Sequence, residues 1–393
     1  MAGAVAAEVP GRSSRRATAA AGDRRKDGEM TERDPNKHED LSALFKPFQL
    51  KGLTLKNRLV MAPMTRQKSP GNAPGEPNVA YYARRAAGGV GLILSEGTVV
   101  ERPGKLHLRD VPHFYGERAL DGWKKVIDAV HREGGKMAPQ LWHVGLAQRN
   151  PDGYEEPADL EGPANMSRED VQAAVRAYGK AAADAKRLGF DAVELHGAHG
   201  YLIDQFFYEV TNQRTDEYGG KTLGERTRFA VEVLKAVREA VGPEMVVILR
   251  LSQWKVGAYD HKMAKTPQEM EQWLLPLSEA GVDIFHMSQR RYWEPEFAGS
   301  DLNTAGWAKK ITGKPTITVG SVGLSGDLFG NMAGEASVPQ GLGELVRRLE
   351  RGDFDLVAVG RSLLSDPAWV EKIKAGRNDE LTNFTRESLG IYF

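Results

Sequence analysis

The hydrophobic residues of this chain form eight short runs that are separated by longer amphipathic stretches. Each run places Val, Ile, Leu or Met on consecutive positions, a pattern typical of parallel strands that are buried on both faces. In chain order the predicted strands are Arg58–Pro63, Val90–Glu96, Lys136–Leu141, Ala192–His196, Val246–Leu251, Ile284–Met287, Thr316–Val319 and Leu356–Val359.

Helical patterns follow these strands, and several carry capping signals. Ser167 precedes three charged residues at one predicted helix start, and Thr266 is followed by Pro267 at another. The predicted helices are Asn78–Ala87, Glu117–Glu133, Ser167–Arg187, Gly224–Val241, Thr266–Ala280, 305–311, 340–351 and 367–375. An eightfold strand–helix repeat predicts an α/β TIM barrel. A doubly wound sheet is disfavoured because no G-x-G-x-x-G motif follows the first strand.

The region before the barrel divides into two parts. Phe48–Leu55 alternates around a Lys-Gly pair, which predicts a β-hairpin that caps the bottom of the barrel. Residues 1–40 are expected to form a disordered extension, and 41–393 the barrel domain. The extension is rich in Ala and Arg, and it lacks the apolar centre of a secretory signal. We therefore expect a cytoplasmic protein, with an organellar transit peptide or translation from Met30 as alternatives.

Composition excludes several classes of function. Lys plus Arg and Asp plus Glu each number 53, a balance that argues against a coat for nucleic acid or membranes. No apolar run approaches the roughly 18 residues that a membrane span requires. The chain has no cysteine, so disulfides, thiolate nucleophiles and Cys-ligated zinc or iron–sulfur centres are excluded. The expected partner is a small molecule, and the oligomeric state stays open.

Functional residues of a TIM barrel lie where its strands end. The candidate residues at those positions are Pro63, Met64, Thr65, Arg66, Glu96, Gly97, Gln140, Trp142, His143, His196, His199, Tyr201, Arg250, His286, Ser288, Gly320, Ser321, Gly323, Gly360 and Arg361. Glycines after the last two strands, with an arginine, favour a phosphate site. The strand arginine Arg250 needs an anionic partner, either a ligand or a barrel glutamate.

Two histidines and a tyrosine share one strand end. His196 and His199 could ligate zinc, but no H-E-x-x-H motif supplies further ligands. The favoured interpretation is a pair that hydrogen-bonds a substrate oxygen, with the Tyr201 phenol as proton donor. His143 is expected to be structural.

These segments together resemble the old yellow enzyme family of FMN-dependent ene-reductases, from about Leu44 onward. The motifs that carry the resemblance are 57–66, 140–143, 196–206, 212–220 and 360–364. The resemblance implies non-covalent FMN, NADPH or NADH as electron donor, and an activated alkene as substrate. The donor reduces the flavin, and the alkene then enters the same site.

The resemblance also implies roles for individual residues. The expected flavin contacts are Ala62, Pro63, Met64, Thr65, Gly97, Gln140 and Arg250 at the ring, and Gly320, Ser321, Val322, Gly323, Gly360 and Arg361 at the phosphate. His196 and His199 would bind the substrate oxygen beside Trp142, and Tyr201 would protonate the α-carbon. No metal is expected.

Two segments depart from the family pattern, and three alternative functions stay open. Segment 328–340 follows an unusual sequence. The loop 290–300 carries Tyr292, Trp293 and Phe297, and we hypothesise that it contacts substrate or covers the site. The alternatives are another flavin barrel dehydrogenase for cyclic or amine substrates, a flavin-binding sensor or store, and a metal-dependent barrel hydrolase.

Overall fold

Eight parallel strands close into a barrel in the computed structural model, which describes residues 39–103, 108–146, 160–256, 258–327, 330 and 337–392. The barrel strands are β3 Leu59–Met61, β4 Leu92–Val99, β5 Met137–Trp142, β6 Ala192–His196, β7 Val246–Ser252, β8 Ile284–Ser288, β9 Thr316–Val319 and β10 Leu356–Val359. Each strand pairs with its neighbour in the chain, and β10 pairs with β3 to close the ring. The predicted TIM barrel is confirmed.

Helices connect the strands and lie outside the barrel. They are α1 Glu76–Ala87, α2 Glu117–Arg132, α3 Arg168–Leu188, α4 Leu202–Phe207, α5 Arg228–Val241, α6 Pro267–Glu279, α7 Thr304–Thr312, α8 Gly343–Arg351, α9 Arg361–Ser365 and α10 Trp369–Lys374. Short 3₁₀ turns cover Ser42–Phe45, Pro70–Asn72, Glu225–Thr227, Asn378–Glu380 and Arg386–Leu389. The Ser167 hydroxyl caps α3 by accepting from the Asp170 amide at 3.1 Å, as its sequence position predicted. The short helices α4 and α9 were not predicted.

A two-stranded antiparallel hairpin closes the lower end of the barrel. Its strands are β1 Phe48–Leu50 and β2 Leu53–Leu55. Leu53 and Leu55 are buried in one cluster with interior residues from the starts of the barrel strands. The Gly52 amide also donates to the Glu244 carbonyl at 3.2 Å, just before β7. The predicted capping hairpin is therefore confirmed.

The interior of the barrel changes from apolar to polar along its axis. Alternate residues of each strand point inward, so position along the strand sets the depth of a side chain. The lower layers hold Leu92, Ala192, Val246, Ile284 and Leu356, which belong to one buried apolar cluster. The layers nearer the carboxyl ends hold Gln140, Glu194, His196, Arg250 and His286, all nearly inaccessible to solvent. The fold thus collects its buried polar groups at one end.

Two predicted segments fall partly outside the described residues. The expected extension 1–40 is described only at Glu39 and Asp40, and residues 328, 329 and 331–336 of the unusual segment are also outside. Among the described helices, none has the length and apolarity that crossing a bilayer requires.

Candidate functional site

A cavity of about 380 Å³ lies at the carboxyl ends of the barrel strands. The predicted residues that line it are Ala62, Pro63, Met64, Thr65, Gln140, Trp142, His196, His199, Tyr201, Arg250, Gly320, Ser321, Val322, Gly360 and Arg361. These positions span almost 300 residues of sequence, and the barrel topology brings them together. These predicted residues therefore line one cavity.

One wall of the cavity is aromatic. The ring centroids of His196 and His199 lie 5.1 Å apart at an interplanar angle of 88°. The Tyr201 ring stands edge-on to both His196 and Trp142, at 4.9 Å from each. His199 has a φ of 66°, which is rare for a residue with a side chain and is found at functional sites. The cluster thus presents a phenol and two imidazoles to the same part of the cavity.

Both imidazoles are neutral near pH 7. Burial lowers the pKa of His196 well below 6.5, and the Arg250 charge lowers it further. Burial and the same arginine likewise lower the pKa of His199. A neutral imidazole offers one N–H donor and one acceptor. His196 Nδ1 has no hydrogen-bond partner among the described residues, whereas His199 Nε2 lies 2.8 Å from the Ser288 hydroxyl.

A buried hydrogen-bond network lies in the polar layer below this wall. The Glu194 carboxylate accepts from Gln140 Nε2 at 2.8 Å, and its second oxygen lies 2.6 Å from His286 Nδ1. Arg250 Nε has no hydrogen-bond partner among the described residues. Burial lowers the pKa of Arg250, and the Glu194 charge opposes that change without a direct contact. A buried guanidinium with an unused donor is suited to an acceptor-rich ligand.

The opposite end of the cavity is formed by the loops after β8, β9 and β10. Gly320 has a φ of 137°, and a Cβ there would lie 2.4 Å from the Gln289 carbonyl oxygen, so only glycine fits. The Arg361 guanidinium donates to the Gly326 carbonyl at 2.6 Å and to the Ser321 hydroxyl at 3.2 Å. Burial lowers the pKa of Arg361 to about 10, and Asp327 partly offsets that effect. This end of the cavity thus combines a glycine turn with a largely buried guanidinium.

Some predicted residues do not reach the cavity surface. Gly97 is buried beneath Trp142, and a Cβ on it would lie 2.6 Å from that indole. Gly323 lies behind the lining beside Trp369. His143 is fully buried and pairs with Glu161 at 3.0 Å, which agrees with the structural role expected of it.

The aromatic residues of the loop 290–300, which we hypothesised to contact substrate or cover the site, lie elsewhere. Tyr292, Trp293 and Phe297 pack against the main hydrophobic cluster outside the barrel and do not line the cavity. Phe297 lies edge-on to the Trp307 ring of α7 at 5.2 Å. The cavity contact of this loop comes from Arg290 instead.

Replacing Trp293 and Phe297 by alanine should therefore affect stability and leave relative activity unchanged. Loss of each half-buried aromatic ring should lower the free energy of unfolding by about 1–3 kcal/mol. This is less than the cost of removing a fully buried ring. Denaturant unfolding measures the first effect, and turnover across a panel of alkenes measures the second. A changed order of preference among the alkenes would indicate that the loop does contact the substrate.

Several lining residues were not predicted from the sequence. Trp254 and Val256 follow the end of β7, and the Trp254 indole stacks on His199 with centroids 4.4 Å apart. Leu389 reaches the cavity from a distant part of the chain, where Arg66 donates to its carbonyl at 3.1 Å. The strand-end rule could have found Trp254, but no sequence signal places Leu389. No three potential metal ligands converge within the described part of the chain.

Comparison with known proteins identifies the family. The sequence profile of the NADH:flavin oxidoreductase / NADH oxidase family matches residues 43–329. The chain belongs to this family. It is the old yellow enzyme family that the motifs indicated, so the resemblance is confirmed, and the protein is a flavin oxidoreductase with FMN as cofactor and a nicotinamide as electron donor.

The chain matches most of the length of two relatives and about half of a third. It is 34% identical to 12-oxophytodienoate reductase 7 of Oryza sativa subsp. japonica, over 88% of this chain and 90% of the relative. It is 31% identical to the NADH oxidase of Thermoanaerobacter brockii, over 86% of this chain and 52% of that protein. The solved structure of morphinone reductase superposes with a TM-score of 0.71 at 28% identity, covering 91% of this chain and 94% of that one.

Proposed function

We propose that this enzyme reduces the carbon–carbon double bond of small activated alkenes such as enones, enals or nitroalkenes. The proposal rests on one observation above all. Two neutral imidazoles and a phenol converge on one wall of the cavity, which is the arrangement needed to bind an activating oxygen and deliver a proton. Either NADPH or NADH is the proposed donor. A cytoplasmic location stays a prediction.

The residues that line the cavity are compatible with FMN. Arg250 offers an unused buried N–H to an acceptor on the flavin ring. A Cβ on Gly360 would approach Met64 Sδ and Ala62 Cβ at 3.6–3.8 Å, so the missing side chain leaves room beside the cavity lining. Arg361 and the loop Gly320–Val322 would hold the phosphate. Because Gln140 donates its Nε2 to Glu194, its Oε1 is left to accept an N–H from the ring.

The protein side chains would bind the substrate and move one proton. Bound FMN would supply the hydride chemistry that connects the nicotinamide with the β-carbon of the alkene. Negative charge then develops on the activating oxygen, and N–H donors from His196 and His199 would stabilise that charge. The Tyr201 hydroxyl would protonate the α-carbon. Trp142 packs edge-on against the Tyr201 ring, and Trp254 stacks on His199.

Replacing Arg361 by methionine should weaken FMN binding about 10- to 100-fold, the value of one hydrogen bond to a charged group. Riboflavin lacks the phosphate, so its affinity should stay within about twofold. Quenching of flavin fluorescence on titration with apoprotein measures both. Arg377 is an exposed arginine paired with Glu380, so Arg377→Met serves as a matched control. Equal weakening of both flavins would assign Arg361 a structural role only.

The proposed reaction is tested by anaerobic titration of the yellow holoenzyme. Bleaching by NADPH or NADH, followed by recovery of the colour when 2-cyclohexenone is added, is the expected result. The ratio of bleaching rates identifies the preferred donor. Bleaching that no activated alkene reverses would favour another flavin oxidoreductase reaction, and absence of bleaching would favour a flavin sensor or store.

A further inference from the structure

Two loops that carry the aromatic wall are joined to each other through the backbone. The loop after β6 contains His199 and Tyr201, and the loop after β7 contains Trp254 and Val256. The Val256 amide donates to the His199 carbonyl at 3.3 Å. The His199 amide in turn donates to the hydroxyl of Ser252, the last residue of β7, at 2.9 Å. The position of either loop therefore depends on the other.

A buried ion pair connects the same two loops. Asp204 lies in the first turn of α4 and is fully buried, and Lys255 in the second loop is only 6% exposed. One carboxylate oxygen of Asp204 contacts the Lys255 ammonium and also accepts from the Gly200 amide at 2.9 Å. The ammonium also lies 4.6 Å from the centroid of the Tyr208 ring. A single carboxylate oxygen thus binds the Gly200 amide in the first loop and the Lys255 ammonium in the second.

The Lys255 charge also acts on His199. The pKa of His199 is lowered first by burial, then by the Arg250 charge, by His196 and His286 when they are protonated, and by the Lys255 charge. The ion pair therefore affects both the position and the pKa of the His199 imidazole. Neither Lys255 nor Asp204 lines the cavity.

We propose that Lys255 and Asp204 are positioning residues that set the geometry of the substrate-oxygen site by fixing the His199 loop against the Trp254 loop. The inference rests on the proposed role of His199 in binding that oxygen. A displacement of catalytic groups by about 1 Å can cost on the order of 100-fold, so a modest release of the two loops should be measurable.

The test compares variants in affinity for a phenol, a ligand whose oxygen would occupy the same position. Lys255→Met keeps the apolar stem and removes the charge, and Lys255→Met with Asp204→Asn removes both charges and avoids an unpaired buried carboxylate. Both should bind 4-hydroxybenzaldehyde about tenfold more weakly than the parent holoenzyme, measured by the change in flavin absorbance. FMN affinity should not change. Lys124→Met, which breaks an exposed pair with Asp128, is the matched control.

A second measurement separates positioning from general loss of structure. Removal of the Lys255 cation raises the pKa of His199, so the titration of this imidazole, followed by NMR, should move to higher pH in Lys255→Met. If Lys255→Met does not fold, the double variant decides. Phenol affinity within twofold of the parent in that variant, or a parallel loss of FMN affinity, would overturn the proposal. Absence of phenol binding by the parent holoenzyme would overturn the proposed function itself.

Discussion

Substitution of Tyr201 by phenylalanine should slow the reoxidation of the reduced enzyme by an alkene by about 10²- to 10⁴-fold, the usual contribution of a positioned general acid. Reduction of the flavin by the nicotinamide involves no proton from this residue, so its rate should change little. The substitution keeps the aromatic ring, which packs edge-on against Trp142 and His196. The variant therefore removes the hydroxyl that would donate the proton and keeps the aromatic wall of the cavity.

Anaerobic stopped-flow spectroscopy separates the two half-reactions. Tyr178→Phe provides the matched control, because that hydroxyl is buried in α3, away from the cavity lining, and has no hydrogen-bond partner among the described residues. The control should leave both rates unchanged. Equal slowing of both half-reactions in Tyr201→Phe would contradict the proton-donor role and would indicate a disturbed cavity.

The sequence predicts the barrel well because burial on both faces leaves a clear pattern. Strands such as β6 and β7 pack on helices outside and on interior side chains inside, so every position is buried and most are apolar. The polar exceptions are Glu194, His196, Arg250 and Ser252, all buried at or beyond the middle of their strand, toward the carboxyl end. A polar residue within a buried strand is costly, and that cost is why its position in the sequence indicates a function.

Contacts between loops are not predictable in the same way. Trp254 and Trp293 both follow a strand end, but one stacks on His199 and the other packs into the outer hydrophobic cluster. Loop residues have no periodicity that assigns them to a face. The contacts of Leu389 and of Lys255 with Asp204 depend on tertiary packing between segments, which one sequence does not encode locally.

The other large effect is expected from loss of both imidazoles. The double variant His196→Ala, His199→Ala should bind 4-hydroxybenzaldehyde about 10²- to 10⁴-fold more weakly, because two hydrogen bonds to a charged oxygen contribute roughly 1.5–3 kcal/mol each. The single variants should each account for part of this loss, and the sum need not be additive, since the two rings lie 5.1 Å apart. FMN affinity should be retained because the phosphate end of the cavity is untouched.

Titration of the holoenzyme with phenol, monitored by flavin absorbance, measures this affinity. His131→Ala is the matched control, because His131 lies at the end of α2 and pairs with Asp191 outside the cavity. Retained phenol affinity in the double variant would refute the oxygen-binding role. Since the lowered pKa values keep both imidazoles neutral near pH 7, the binding they provide must come from N–H donation rather than from a full positive charge. Salt should therefore weaken phenol binding much less than it would weaken binding to a cationic site.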